Sequence, residues 1–383
     1  MNRTLEHILP NVQKPARYTG GEYNAVVKDK KQIKTRFALC FPDTYEIGMS
    51  NLGCRILYGV MNQRSDVWCE RCYAPWGDME EEMRREGLLL YGLESGDAIA
   101  DFDIIGFSLG YEMAYTNVLN MLDLAGVPLR SSDRPELSPM IVAGGTCCYN
   151  PEPLAPFIDL FILGEGEEVT LEYIDLYQQA NEEGWSKEEF LQEAAKIPGI
   201  YVPSLYEVTY RPDGVVEAVT PKGDAPATVT KRIVQDMNKA YFPVKTIIPS
   251  TEIVHDRVML ELFRGCIRGC RFCQAGYAYR PVRNRDPKLL AEYGKAACED
   301  SGYQEMTLSS LSSTDYPCLM ELCDDLLDYC SPRDIGLSLP SLRADTFSMS
   351  LMERLQRVRK GGLTFAPEAG TQRLRDAINK NLR

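Results

Sequence analysis

Cys266, Cys270 and Cys273 stand in the stretch RGCIRGCRFCQAGYAYRP, whose C-x3-C-x2-C spacing carries three thiols on one short segment. Structural zinc takes four protein ligands and ferredoxin-type clusters take four cysteines, so three thiolates are one ligand short of a closed site. The spacing suits a four-iron cluster with one iron left open, the position where a substrate or cofactor binds. The plain alternative is a helical stripe, because residues at i, i+4 and i+7 share a face. Gly265 and Gly269 each precede a cysteine, and Arg264, Arg268 and Arg271 interleave with them. That pattern argues for a backbone turning closely around something buried. With Arg280, Arg283 and Arg285 these arginines form a local basic patch, whose simplest role is to offset the charge of a thiolate-ligated cluster rather than to bind RNA.

The elements that must position this loop follow a regular pattern. The apolar run VMLELF precedes the cysteines, and a helix follows, with Asp286 as N-cap, Pro287 as its first residue and Gly302 at its end. The unit then repeats. EMTLSS reads as a strand before a helix from about Tyr316 to Tyr329, IGLSLPSL as a strand before a helix near Phe347 to Val358, and GLTFAP as a strand before the helix TQRLRDAINK. Strands alternating with helices in this way predict a parallel sheet closing toward a barrel over residues 251–383.

Residues 36–180 read as a separate α/β domain after a lead over 1–35. FALCFP, DIIGFSLG, MIVAGG and DLFILGEGE are predicted buried parallel strands, with helices near Leu52 to Gln63, Glu112 to Ala125 and Glu168 to Gln179. This is the pattern of a doubly wound sheet, whose ligands belong at the carboxyl ends of the strands. Residues 181–250 are proline-punctuated and read as a linker or small β insertion. Cys69 and Cys72, and the pair Cys147 and Cys148, lack partners at zinc spacing and read as incidental. Cys298, Cys318, Cys323 and Cys330 fall in helical patterns as small buried hydrophobes.

The cysteine motif, down to Phe272 before its last cysteine, resembles the signature of the radical S-adenosylmethionine (AdoMet, SAM) superfamily. The resemblance implies a [4Fe-4S] cluster on Cys266, Cys270 and Cys273, with AdoMet chelated to the free iron. It further implies AdoMet contacts at the ends of the following strands: Ser309 and Ser310, Ser341 and Arg343, and Glu368. A superfamily core generally has six strand–helix units and four fit before Arg383, so the expected barrel is incomplete, a piece of a longer chain or one completed by a second chain. In the first domain, FPDTYEIGMSNLG, Ser108-Leu109-Gly110 and Gly144-Gly145 resemble the cobalamin-binding domain fused to many such enzymes. Asp43 and Gly48 match the outer positions of its D-x-H-x-x-G motif, with Tyr45 in place of the histidine that ligates cobalt and Gly110 in place of a leucine. Tyrosine is a poor neutral cobalt ligand. Two readings follow: cobalamin held with no lower protein ligand, or a fold kept for another use. Together with PARYTGGEYN and FAPEAGTQRLRD, these motifs resemble a radical AdoMet family with an N-terminal cobalamin-binding-like domain, over nearly the whole chain.

Composition narrows the setting. A formal charge of -13 over 383 residues disfavours general attraction to nucleic acid or an acidic membrane. The first residues lack the apolar core of a signal peptide and no run reaches membrane-span length, so the 13 cysteines are expected reduced in the cytoplasm. The leading expectation is a radical enzyme, a methyl or alkyl transferase among the options, fed electrons by a donor such as flavodoxin or ferredoxin. An iron–sulfur electron carrier or sensor is the first alternative; it gains little from an open iron and would normally supply a fourth thiolate. A subunit inactive alone is the second. His7 and His255 stand without a partner pattern for acid–base work.

Overall fold

The structure, a computed structural model, describes residues 3–343, 345, 353–354 and 365–382. The chain divides into two compact units, Met1–Val234 with Ile247–Val254, and Gln235–Thr246 with His255–Arg383.

In the first unit, helix α1 (Arg3–Ile8) and an extended lead precede β1 (Thr35–Phe41), the short α2 (Tyr45–Met49) and α3 (Leu52–Asn62). Asn51 starts α3 by accepting from the Cys54 N–H at 3.0 Å. Next come β2 (Val67–Tyr73), α4 (Gly77–Glu86), β3 (Ile104–Ser108), α5 (Tyr115–Leu124), β4 (Met140–Gly144) and β5 (Leu160–Ile162). The unit continues through α6 (Gly166–Glu183), α7 (Lys187–Ala194), β6 (Ile200–Tyr201) and a separate antiparallel hairpin, β7 (Tyr206–Tyr210) with β8 (Val216–Pro221). The main sheet has the order β2-β1-β3-β4-β5-β6. Its first five strands are parallel, and β6 runs antiparallel to β5. The strand order reverses between β1 and β3, the switch point of a doubly wound sheet.

The four strands expected from apolar runs are β1, β3, β4 and β5. The sheet also contains β2, VWCERCY, whose Glu70 and Arg71 interrupt the hydrophobic signature yet are buried. Each is paired: Glu70 bridges to Arg36, and Arg71 lies between Glu22 (2.7 Å) and Glu94 (2.6 Å). Buried charges persist only when paired in this way.

In the second unit the order is β9 (Val258–Glu261), β10 (Phe263–Arg264), α8 (Gln274–Ala278), β11 (Arg283–Asn284), α9 (Pro287–Ser301), β12 (Glu305–Ser309), α10 (Leu319–Cys330), β13 (Gly336–Ser338) and α11 (Gln372–Ala377). Strands β13-β12-β9 form a parallel sheet, with α9 and α10 as the crossovers. Asp286 caps α9 by accepting from the N–H groups of Lys288 and Leu289, and Gly302 ends it in the left-handed conformation. Leu260, Leu290, Met306, Leu308, Leu322 and Leu326 fill the core between helices and sheet. A Cβ on Gly294 would meet Leu260 Cδ1 at 2.9 Å, so glycine lets α9 lie close on the strands. Of the expected fourth strand, Phe365 is described and bridges in parallel to Leu342; residues 362–364, and the helix expected at 347–358 except for 353–354, lie outside the described residues. Among the described residues no helix is long and apolar enough to cross a membrane.

Candidate functional site

The cysteine loop leaves the carboxyl end of β9, where charged and polar groups of a parallel βα sheet face the site. Its base is closed by antiparallel pairing of Phe263 with Asn284 and Arg264 with Arg283. Gly265 adopts φ +91°, and a Cβ there would stand 2.5 Å from the Pro281 carbonyl oxygen, so only glycine lets the two ends meet. Within the loop the Cys273 N–H donates to the Cys270 carbonyl at 3.2 Å, and Cys273 Sγ accepts from the Gly276 N–H at 3.3 Å, capping α8. The segment is thus a turn and a short helix, not the continuous helical stripe.

Cys266, Cys270 and Cys273 are all partly exposed, whereas nine of the other cysteines are buried. Burial pushes the Cys54 thiol up to about 11 and Cys323 up to about 12, which keeps them protonated and inert. Among the described residues no group of three or more His, Cys, Asp or Glu side chains is drawn together as a finished metal site. The loop nevertheless offers three accessible soft donors on a pinned backbone, the ligand chemistry of an iron–sulfur cluster.

The surrounding arginines brace the loop. Arg268 Nε donates to Asp315 Oδ2 at 2.9 Å, Arg280 Nη2 to the Arg268 carbonyl at 2.9 Å, and Arg264 Nε to Glu261 Oε1 at 2.8 Å. Arg271 Nη1 donates to the Ala377 carbonyl, and the buried Arg285 to the carbonyls of Met237 and Ala240. Arg283 Nε reaches the Pro281 carbonyl at 3.2 Å. Burial alone would raise the Asp315 carboxyl; Arg268, together with Ser312 and Arg343, more than offsets it and holds the group below the ordinary carboxylate range.

At the strand ends, Ser309 closes β12 and is partly buried. Ser310 Oγ lies 3.0 Å from Ser313 Oγ, and Ser313 donates to the carbonyls of Leu308 and Pro340, tying this turn to the one after β13. Ser341 (φ +61°) and Glu368 (φ +66°) both hold left-handed backbone. Such conformations cost about 1–3 kcal/mol each and gather at functional sites. Arg343 is buried and forks onto Asp345 at 3.0 and 2.9 Å, and Glu368 accepts from Lys380 Nζ at 3.1 Å.

The first unit treats its strand ends differently. Tyr45 is 2% exposed; its ring meets Tyr73 edge-on at 5.4 Å, and its hydroxyl donates to Glu22 Oε1 and accepts from the Ser250 N–H. Burial, then the Glu22 charge, raises its pKa well above the ordinary phenol value. It is a core group, not an edge ligand. A Cβ on Gly48 would meet the Tyr73 ring at 2.2 Å, and one on Gly145 (φ +111°) the Leu109 carbonyl oxygen at 2.4 Å. Both glycines serve close packing. Asp43 accepts from its neighbour Thr44 N–H and from the Tyr111 hydroxyl. Ser108 is partly buried, while Gly110 and Gly144 have open space or ordinary contact above them. The stretch FPDTYEIGMSNLG itself contains no histidine. Unforeseen from sequence are Glu22, Arg71, Glu94 and Asp315; Glu22 sits inside PARYTGGEYN, the one local signal that could have marked it.

The fold and loop define an α/β protein with a doubly wound unit and a second parallel sheet carrying three cysteines at a strand's carboxyl end. Residues 260–383 match the family model of the radical SAM superfamily, and residues 53–203 that of the N-terminal part of radical SAM proteins; the chain belongs to the radical SAM superfamily. It is 29% identical to an uncharacterized protein of Methanocaldococcus jannaschii over 92% of this chain and 64% of that one. It is 28% identical to the anaerobic magnesium-protoporphyrin IX monomethyl ester cyclase of Rubrivivax gelatinosus over 62% of this chain and 39% of that one. The chain therefore spans less than two thirds of either relative. Among solved structures it is similar in fold to the radical S-adenosylmethionine methyltransferase TsrM of Kitasatospora setae. With tryptophan substrate and a SAM analogue bound, that enzyme aligns at a TM-score of 0.55 and 12% identity, over 89% of this chain and 60% of that one. With cobalamin and a [4Fe-4S] cluster bound, it aligns at 0.50 and 13%, over 85% and 57%.

Proposed function

We propose that the protein is a radical AdoMet enzyme whose Cys266, Cys270 and Cys273 hold a [4Fe-4S] cluster. The observation that carries the reading is the trio of accessible thiols on a pinned loop at the carboxyl end of β9. A cluster held by Cys266, Cys270 and Cys273 would supply one-electron reduction of the AdoMet sulfonium, drawing on a reduced donor of the flavodoxin or ferredoxin kind. The chain's own part is to bind, orient and exclude water. Glu261 and Asp315 hold Arg264 and Arg268 beside the loop, and Ser309, Ser310, Ser341 and Arg343, at or after the ends of β12 and β13, are the groups that would meet AdoMet. A cytoplasmic, reducing setting suits thiols of this kind.

Cobalamin-assisted methyl transfer is the finer reading, favoured by the fold shared with a methyltransferase that has been seen with cobalamin bound. Ser108, Gly110 and Gly144 would flank the corrin, and Tyr45, turned into the core, would not supply a ligand to cobalt. Anaerobic reconstitution tests the proposal: about four irons per chain and 5′-deoxyadenosine formed with dithionite and AdoMet are expected. A protein that folds and holds zinc or no metal would end it.

A further inference from the structure

The stretch following α11 returns to the cysteine loop from more than a hundred residues away in sequence. Asn379 Nδ2 donates to the Gly269 carbonyl at 2.8 Å, the peptide directly before Cys270. On the other side of the same cysteine, the Arg271 N–H donates to the Ile378 carbonyl at 3.0 Å, and Arg271 Nη1 to the Ala377 carbonyl at 2.6 Å. Cys270 is therefore gripped through both its neighbours by three consecutive residues. The grip is specific in shape. Asn379 sits at φ +55°, a left-handed position that asparagine tolerates better than other residues bearing a side chain. A Cβ on Gly269 would stand 3.0 Å from the Asn379 amide nitrogen, so glycine at 269 leaves room for that amide. Lys380, next in line, lies 6.0 Å from the centre of the Phe272 ring and is itself held by Glu368.

Resting on the cluster reading above, we infer that Asn379 is a positioning residue for cluster ligation, fixing the backbone before Cys270 so that its thiolate is presented at the place a cluster needs. A loop bearing three ligands gains little from three thiols if one wanders, because two thiolates release iron readily. The amide acts through Cys270 and touches no substrate.

The test uses full-length protein, anaerobically reconstituted, with Asn379→Gly and Asn379→Asp. Glycine keeps the left-handed backbone and deletes the donor; aspartate keeps the shape and faces the Gly269 carbonyl with an acceptor. Iron release to a coloured ferrous chelator and the electron paramagnetic resonance of the reduced cluster are read beside the thermal unfolding midpoint. The loss of one hydrogen bond predicts release faster by about fivefold to tenfold and a changed or broadened resonance, at an unchanged midpoint. Wild-type release rates in both variants, or faster release accompanied by an equal fall in stability, overturn the inference. If the wild-type protein holds no cluster, it is the proposed function that fails, so the two failures are distinguishable.

Discussion

The two units place polar residues at the ends of parallel strands in opposite ways. In the first, Tyr45 and Gly48 at the carboxyl end of β1 turn inward, Tyr45 buried on Glu22 and Gly48 under the Tyr73 ring, while Asp43 stays partly exposed and is taken up by Thr44 and Tyr111. In the second, the end of β9 opens into a loop whose three thiols are accessible, whose backbone carbonyls accept from Arg280 and Asn379, and whose Arg268 is held by Asp315. The same β-then-loop plan thus yields a packed joint in one unit and a set of accessible thiols in the other. What differs is which groups the surrounding chain satisfies. A polar side chain already saturated in the core has nothing left for a ligand.

The sharpest break of this comparison is at the loop. Replacing any one of Cys266, Cys270 and Cys273 by alanine is expected to reduce 5′-deoxyadenosine formation to background and to lose stoichiometric iron, with little change in unfolding of the metal-free protein. Retention of four irons in a triple variant would show that the ligands are elsewhere. In the first unit the largest expected effect is on folding. Arg71 holds Glu22 and Glu94, whose side chains are fully buried; burial pushes both carboxyls up, and Arg71 overcomes it at Glu22 but not at Glu94. Arg71→Met leaves both acids uncompensated and should cost about 3–5 kcal/mol in urea unfolding. A loss under 1 kcal/mol would mean the triad is not closed in solution.

The glycines of the first unit sharpen the comparison further. Gly145→Ala forces a side chain into left-handed backbone against the Leu109 carbonyl and should destabilise by about 1–3 kcal/mol. Gly144→Ala, whose new Cβ would find its nearest neighbour at 3.7 Å, should be within about 0.5 kcal/mol of wild type. If Gly144→Ala leaves stability alone yet weakens cobalamin binding in a spectroscopic titration, the edge has a ligand. Tyr45→Phe should cost about 1 kcal/mol for its lost hydrogen bonds, and binding of hydroxocobalamin, if measured for wild type, should be unaffected. The smallest expected effect is in pH. The Asp315 carboxyl is held below its ordinary value of 3.8 in the folded protein. Its contribution to loop order is then complete above that value and is lost as pH falls through the lower folded one. Hydrogen exchange at residues 266–273 should change little from pH 7 to 5 beyond its intrinsic dependence, and Asp315→Asn should expose these amides at neutral pH.

The cysteine loop was legible because its pattern is local: three cysteines and two glycines lie within one short stretch. Strands β1, β3, β4 and β5, and helices α3, α6, α9 and α10, were legible because their apolar periods are unbroken, and α3 and α9 carry capping residues, Asn51 and Asp286, at their starts. Strand β2 was not, since Glu70 and Arg71 read as surface until Arg36, Glu22 and Glu94 are brought around them. Tyr45 is the same case reversed. Its position in FPDTYEIGMSNLG suggested a place beside a ligand, and only the approach of Glu22 and Ser250 turned it into a core group.

Sequence by itself determined the three cysteines, their spacing and the alternation of strand and helix that carries them, because residue spacing and backbone periodicity are properties of neighbouring residues. Tertiary structure decided which charges are paired, which glycines are obligatory and which distant amide grips the loop before Cys270. Those depend on separations that close only when segments far apart in the chain pack together, and no local pattern encodes a partner that folding alone supplies.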